Sequence, residues 1–204
     1  MEQFLSLQIN DYFVAVFFWN ILLALIPCFI VFRMANGFHL KGWTNIGTIP
    51  KWSFVGLFLI WFFFFPNTAY LFSDIRHLAN YCDQLDAMRI CPNQAYLVPI
   101  FLSYAMVGIP TFYYGLSKMS YVLSKLFGAA VGRIFPVLMI PLTALGVMIG
   151  LVDRFNSWDI VFHPFSIVKI ALAYFLGDVM SWNLLSYTLM LYGIYYFIKL
   201  TKQK

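Results

Sequence analysis

Charge is scarce in this sequence. Only 10% of the 204 residues are Asp, Glu, Lys or Arg, while 62% are apolar and the mean hydropathy is +0.80. A soluble domain is about 25% charged and about half apolar, so this chain has too little polar surface to cover a globular core. Disorder needs low hydrophobicity with high charge, the reverse of what is present. Acidic residues are the scarcest, eight against thirteen basic, for a net charge of +5. A basic balance raises the question of nucleic acid, yet there is no zinc-finger spacing, basic arm or recognition-helix pattern, and nucleic acid is set aside. No basic stretch precedes the first apolar run and no small-residue cleavage site follows it, so that run is expected to stay in the mature protein. Internal repeats, low-complexity tracts and a soluble second domain are also lacking. What is left is a single integral membrane domain over 1–204.

The apolar runs give the fold class: all-α, a polytopic membrane helical bundle. Charges cut the chain into runs at 12–32, 52–73, 95–116, 134–152 and 179–198, each near the ~20 residues a helix needs to cross the hydrocarbon. The runs are continuous rather than alternating, and in lipid the backbone must satisfy itself, so helices are expected rather than a barrel. A shorter run, 165–177, places Ser166, Lys169, Ala173 and Gly177 on one weakly polar stripe and reads as an interfacial helix, with a tilted span as the alternative. The segments holding Arg33, Lys41 and Lys51, then Lys118, Lys125 and Arg133, then Lys199, Lys202 and Lys204 contain no Asp or Glu, and every acidic residue falls on the other side. Lys/Arg excess marks the cytoplasmic side. The expectation is five spans, N-terminus out and C-terminus in, in a cell membrane, with membrane lipids as partners and the basic linker on their anionic heads.

Two polar stretches fall on the outer side. The first runs from Trp61 to Leu78. Pro66 should kink its helix, and Asn67, Tyr70, Asp74, His77 and Tyr81 recur at helical spacing, sharing one face. The second, Asp153 to Pro164, repeats that spacing in Asn156, Asp159 and His163, with Asn156 or Ser157 as alternative helix caps. Cys82 and Cys91 lie in the same outer loop, where a disulfide and two free thiols both stay open. Cys28, inside the first run, reads as a packing residue.

The Phe-Pro-Asn-Thr-Ala-Tyr…Asp-Ile-Arg-His-Leu stretch with the later Arg-Phe-Asn-Ser-Trp-Asp resembles the bacterial membrane family catalogued as domain of unknown function 1361. The resemblance runs from Asn20 to Trp158-Asp159 and beyond. It places Pro66, Asn67, Tyr70, Asp74, His77, Arg154, Asn156, Ser157, Trp158 and Asp159 on the family's motif positions. It departs where the family tends to have Gly-Arg, since Leu151 follows Gly150 here. The resemblance implies membrane location and site positions but supplies no reaction.

Three chemistries compete for these residues. Asp74, His77 and Asp159 form a candidate acid/base set, with Asn67, Tyr70, Arg154, Asn156 and Trp158 as candidate ligand contacts and Arg154 meeting an anion. The substrate class is an envelope lipid or precursor at the outer leaflet. Asp74, His77, Asp159 and His163 are also candidate ligands for a divalent metal such as Zn²⁺ or Mn²⁺, although neither Asp-His pair has a diagnostic metalloprotease spacing. Ser73 and Ser157 lack a nucleophile-elbow context. The rival is a small transporter, channel or scaffold in which the polar motifs only lock helices. No charged residue lies mid-span, which argues against an ion-coupled pump. The small-xxx-small pairs Gly128/Gly132 and Gly146/Gly150 read as close helix packing within the chain.

Overall fold

The computed structural model describes residues 8–9, 12–37, 51–75 and 95–202. A minimal antiparallel pairing of β1 (Gln8–Ile9) with β2 (Tyr12–Phe13) precedes the helices. The rest is helical: α1 (Val14–Gly37), α2 (Lys51–Phe64), α3 (Pro66–Ser73), α4 (Leu97–Phe127), α5 (Ala129–Val152), α6 (Asp159–Phe162), α7 (Pro164–Leu176) and α8 (Asp178–Thr201).

Pro66 separates α2 from α3 without ending the helical path. Phe65 between them keeps helical dihedrals, φ −60° and ψ −37°. Proline has no N–H to donate and displaces the carbonyl below it. Side chains add bonds around the break: Asn67 Nδ2 donates to the Phe64 carbonyl at 2.9 Å, and Thr68 Oγ1 to the Phe65 carbonyl at 2.8 Å, which also accepts the Thr68 backbone N–H at 3.1 Å. The stretch Trp52–Ser73 therefore still serves as one span-length element.

The helix expected over 95–116 runs on to Phe127. Between Leu116 and Phe127 there is neither glycine nor proline, so nothing stops it before Gly128, whose φ of 100° only glycine adopts readily. Lys118 and Lys125 consequently sit on α4, and Arg133 on the first turns of α5, rather than on a linker. The α4–α5 hairpin is tight: Ser120 Oγ donates to the Gly132 carbonyl, and a Cβ at Gly132 would meet Ser124 Cβ at 2.5 Å. The glycine is there to let the two helices approach.

By length and composition, three helical stretches among the described residues can cross a membrane: Ala15–Asn36, Trp52–Ser73 and Ala129–Val152. Pro164–Leu176 and Met180–Thr201, bent by 89°, make a fourth if they form one broken span. The expected five are thus matched only as far as three or four. α4 is long enough, but its Ser, Thr and Tyr residues make it amphipathic.

One apolar core joins α1 to α5, α7 and α8. Its centre is aromatic: Trp61 stacks on Phe65 at 4.5 Å between ring centroids, and Phe65 on Phe112 at 5.6 Å. α7 packs Ile167, Ile170, Ala171 and Tyr174 against this core and leaves Ser166 and Lys169 exposed. The buried Tyr174 ring carries its hydroxyl to Asp153 at the end of α5, donating to Oδ2 at 3.0 Å. A bond to a carboxylate contributes about 1.5–3 kcal/mol. Tyr174→Phe is expected to lose about that much stability, seen as a lower thermal midpoint in detergent. An unchanged midpoint would show that α7 is not held there.

Candidate functional site

The i, i+3, i+7 face read from the sequence is present on and just beyond α3. Asn67, Tyr70 and Asp74 all line one cavity of about 620 Å³, within the ~300–1,000 Å³ range of ligand sites. The carboxylate of Asp74 is buried, with 1% of the residue exposed. It accepts a hydrogen bond from Asn20 Nδ2 of α1 at 3.5 Å, which ties α3 to α1.

Gly146 of α5 lets α3 come this close. A Cβ at Gly146 would stand 2.6 Å from Pro66 Cγ, and one at Gly150 would be 3.6 Å from the Tyr70 ring. Gly146 thus seats the polar helix against α5 inside one chain, whereas a Cβ at Gly150 would make ordinary contact.

The second polar stretch does not form a helical face. α5 ends at Val152, a turn follows, and α6 starts only at Asp159. Within the turn Arg154 takes a left-handed backbone, φ 62°. A non-glycine residue there costs on the order of 1–2 kcal/mol, and such strain gathers at functional sites. The Asp159 carboxylate fastens the turn by accepting the Asn156 backbone N–H at 2.6 Å and its side-chain amide at 3.4 Å. Ser157 Oγ then accepts from Asn67 Nδ2 at 2.8 Å, joining the turn to α3.

Arg154, Asn156 and Ser157 therefore line the same cavity as Asn67, Tyr70 and Asp74, whereas Trp158, Asp159 and His163 do not. Asp159 shapes the turn, and His163 is exposed at the end of α6, its N–H bonded to the Asp159 carbonyl at 2.7 Å. His77, Tyr81, Cys82 and Cys91 lie outside the described residues. Among the described residues no three His, Cys, Asp or Glu side chains come together as a metal site.

Sequence reasoning undervalued two polar residues. In the sequence Asn20 only marks where the family resemblance begins, and Ser157 reads as a motif position, an alternative helix cap and a poor nucleophile, with no ligand role. The apolar lining, including Phe62, Phe63, Leu142, Leu145 and Ile167, carried no signal that separated it from lipid-facing residues. Along α2 and α3 the lining runs from Phe62 and Phe63 to Asp74, and along α5 and the turn from Met139 and Leu142 to Arg154. The cavity thus grades from apolar to polar along both walls.

Fold and cavity define a class: a helical protein with helices long and apolar enough to cross a membrane and a pocket lined at one end by a polar turn. The family model described as protein of unknown function DUF1361 matches residues 19–198, and the chain belongs to that family. No curated protein and no solved structure matches the chain. The family match spans both polar stretches and, Val16 apart, every residue that lines the cavity.

Proposed function

We propose that this is a five-span, N-out/C-in protein of a bacterial cytoplasmic membrane that binds an amphiphilic envelope lipid or precursor at the outer leaflet and acts on its polar end. The observation that carries this reading is the cavity of about 620 Å³, with apolar walls leading to Asn20, Asn67, Tyr70, Asp74, Arg154, Asn156 and Ser157. A purely structural polar network would have no use for an open volume of that size. In this reading the apolar wall takes a hydrocarbon chain, Arg154 meets an anionic head, and Asp74 supplies the acid or base, with His77 beside it in sequence. Asp159 holds the turn that presents Arg154. The orientation is supported by the charge asymmetry, since all eight acidic residues fall on one side of the expected spans.

Native mass spectrometry of the detergent-purified protein tests the binding step. The expected result is a retained amphiphile that Leu142→Trp, which fills the apolar wall, removes from a still monodisperse protein. A wild-type protein that carries no amphiphile, or a variant that keeps it, would overturn the reading.

A further inference from the structure

We infer that the ligand reaches the cavity sideways from the bilayer, between α1 and α5, and that it is a phosphate-bearing anionic lipid whose head is held by Arg154 and Ser157. This rests on the amphiphile-binding reading above and adds to it a route and a headgroup.

The route follows from helix packing. α1 packs against α2, α3 and α4, while α5 packs against α3, α4, α7 and α8. α1 and α5 therefore make at most slight contact with each other, and both line the cavity. Three residues of these two helices line the cavity and are themselves exposed among the described residues: Val16 and Trp19 of α1, and Leu142 of α5. All three are apolar, and α1 and α5 are both long and apolar enough to cross a membrane. An opening rimmed in this way meets hydrocarbon, so a ligand passing it stays in a lipid environment and need not cross water.

The headgroup follows from donor bookkeeping in the turn. Arg154 is exposed, and it is the sole cationic residue among the described residues lining the cavity. Its guanidinium offers up to five donors in a planar fork suited to phosphate oxygens. The left-handed backbone at Arg154 fixes where that side chain leaves the turn. Three positions on, Ser157 Oγ is already an acceptor for Asn67 Nδ2, which leaves its own O–H to donate. Asn67 commits its amide donors to the Phe64 carbonyl and to Ser157, so it orients the serine rather than the ligand. The Asp74 carboxylate accepts from Asn20 on the α1 side. A guanidinium and a hydroxyl on one turn, beside an apolar wall, match a phosphate on a hydrocarbon chain.

The test uses delipidated full-length protein with dioleoyl phosphatidylglycerol or dioleoylglycerol added back, which differ in the phosphate-bearing head but not in the chains. Bound lipid is counted by native mass spectrometry. Wild type is expected to retain phosphatidylglycerol at least about tenfold better, the scale of one charge-assisted phosphate contact. Arg154→Gln should collapse that ratio towards one while still binding. A Lys118→Gln/Lys202→Gln double variant at the basic end of the bundle should keep it, and Leu142→Trp should lose both lipids. A preference that disappears with the lysines instead of Arg154 overturns the inference. If wild type retains both lipids equally and Leu142→Trp removes them, the headgroup assignment fails and amphiphile binding stands. If Leu142→Trp retains wild-type lipid, both readings fail together.

Discussion

Gly108→Leu is expected to abolish the folded protein, and Gly56→Leu to leave it intact. Both glycines are inside helices, so intrinsic propensity would favour leucine at each. The difference is tertiary. A Cβ at Gly108 of α4 would stand 2.5 Å from Phe72 Cε1 and 2.9 Å from the Thr68 backbone carbonyl oxygen. Phe72 is in the core and Thr68 is fully buried, so neither has room to yield, and a backbone oxygen cannot rotate away. Even one methyl group, as in Gly108→Ala, should cost about 1–3 kcal/mol as overpacking. A leucine should separate α3 from α4. Gly146→Leu should behave likewise, because its Cβ would be 2.6 Å from Pro66 Cγ and 2.9 Å from Pro66 Cβ. At Gly56 on α2 and Gly193 on α8 nothing lies within 4 Å, and leucine should be tolerated. Size-exclusion profiles and thermal midpoints in detergent read all four. A Gly108→Leu protein with a wild-type midpoint would show that α3 does not pack on α4 as described.

The glycine contrast marks what sequence pattern can and cannot carry. Helical periodicity found Asn67, Tyr70 and Asp74, because Pro66 only kinks the path and Phe65 stays helical, so the 3.6-residue repeat holds through that face. The same repeat applied to Asn156, Asp159 and His163 failed, because α5 ends at Val152 and Asn156 lies in a turn. The three-residue spacing there is a real contact, from the Asn156 N–H to the Asp159 carboxylate, but it fastens a turn instead of building a helix face. Charges located the hydrophobic runs but not the helix ends: Lys118 and Lys125 continue α4, which stops at a glycine. The cavity was not legible at all. It exists because α1 and α5 are held apart by the helices between them, and no local pattern encodes that separation.

Asp74 brings the fold and the site into conflict, so two substitutions there should separate them. Asp74→Leu is expected to destabilise the protein by about 1–3 kcal/mol for each polar partner it strands, beginning with Asn20 Nδ2, whose acceptor it removes. Asp74→Asn is nearly isosteric and keeps an oxygen for Asn20, so its thermal midpoint should stay close to wild type. The informative variant is therefore the asparagine. An amide neither takes nor gives a proton as a carboxyl does, so any chemistry that depends on Asp74 stops while the cavity keeps its shape. Binding should persist, since the apolar wall, Arg154 and Ser157 are untouched, and the loss of a nearby negative charge favours an anionic head. If Asp74 acts on the ligand, the asparagine variant accumulates an amphiphile that wild type converts. The mass of the co-purified molecule should then differ between two equally folded proteins. An identical mass in both would make Asp74 a strut between α1 and α3 and the protein a binder that leaves its lipid unchanged.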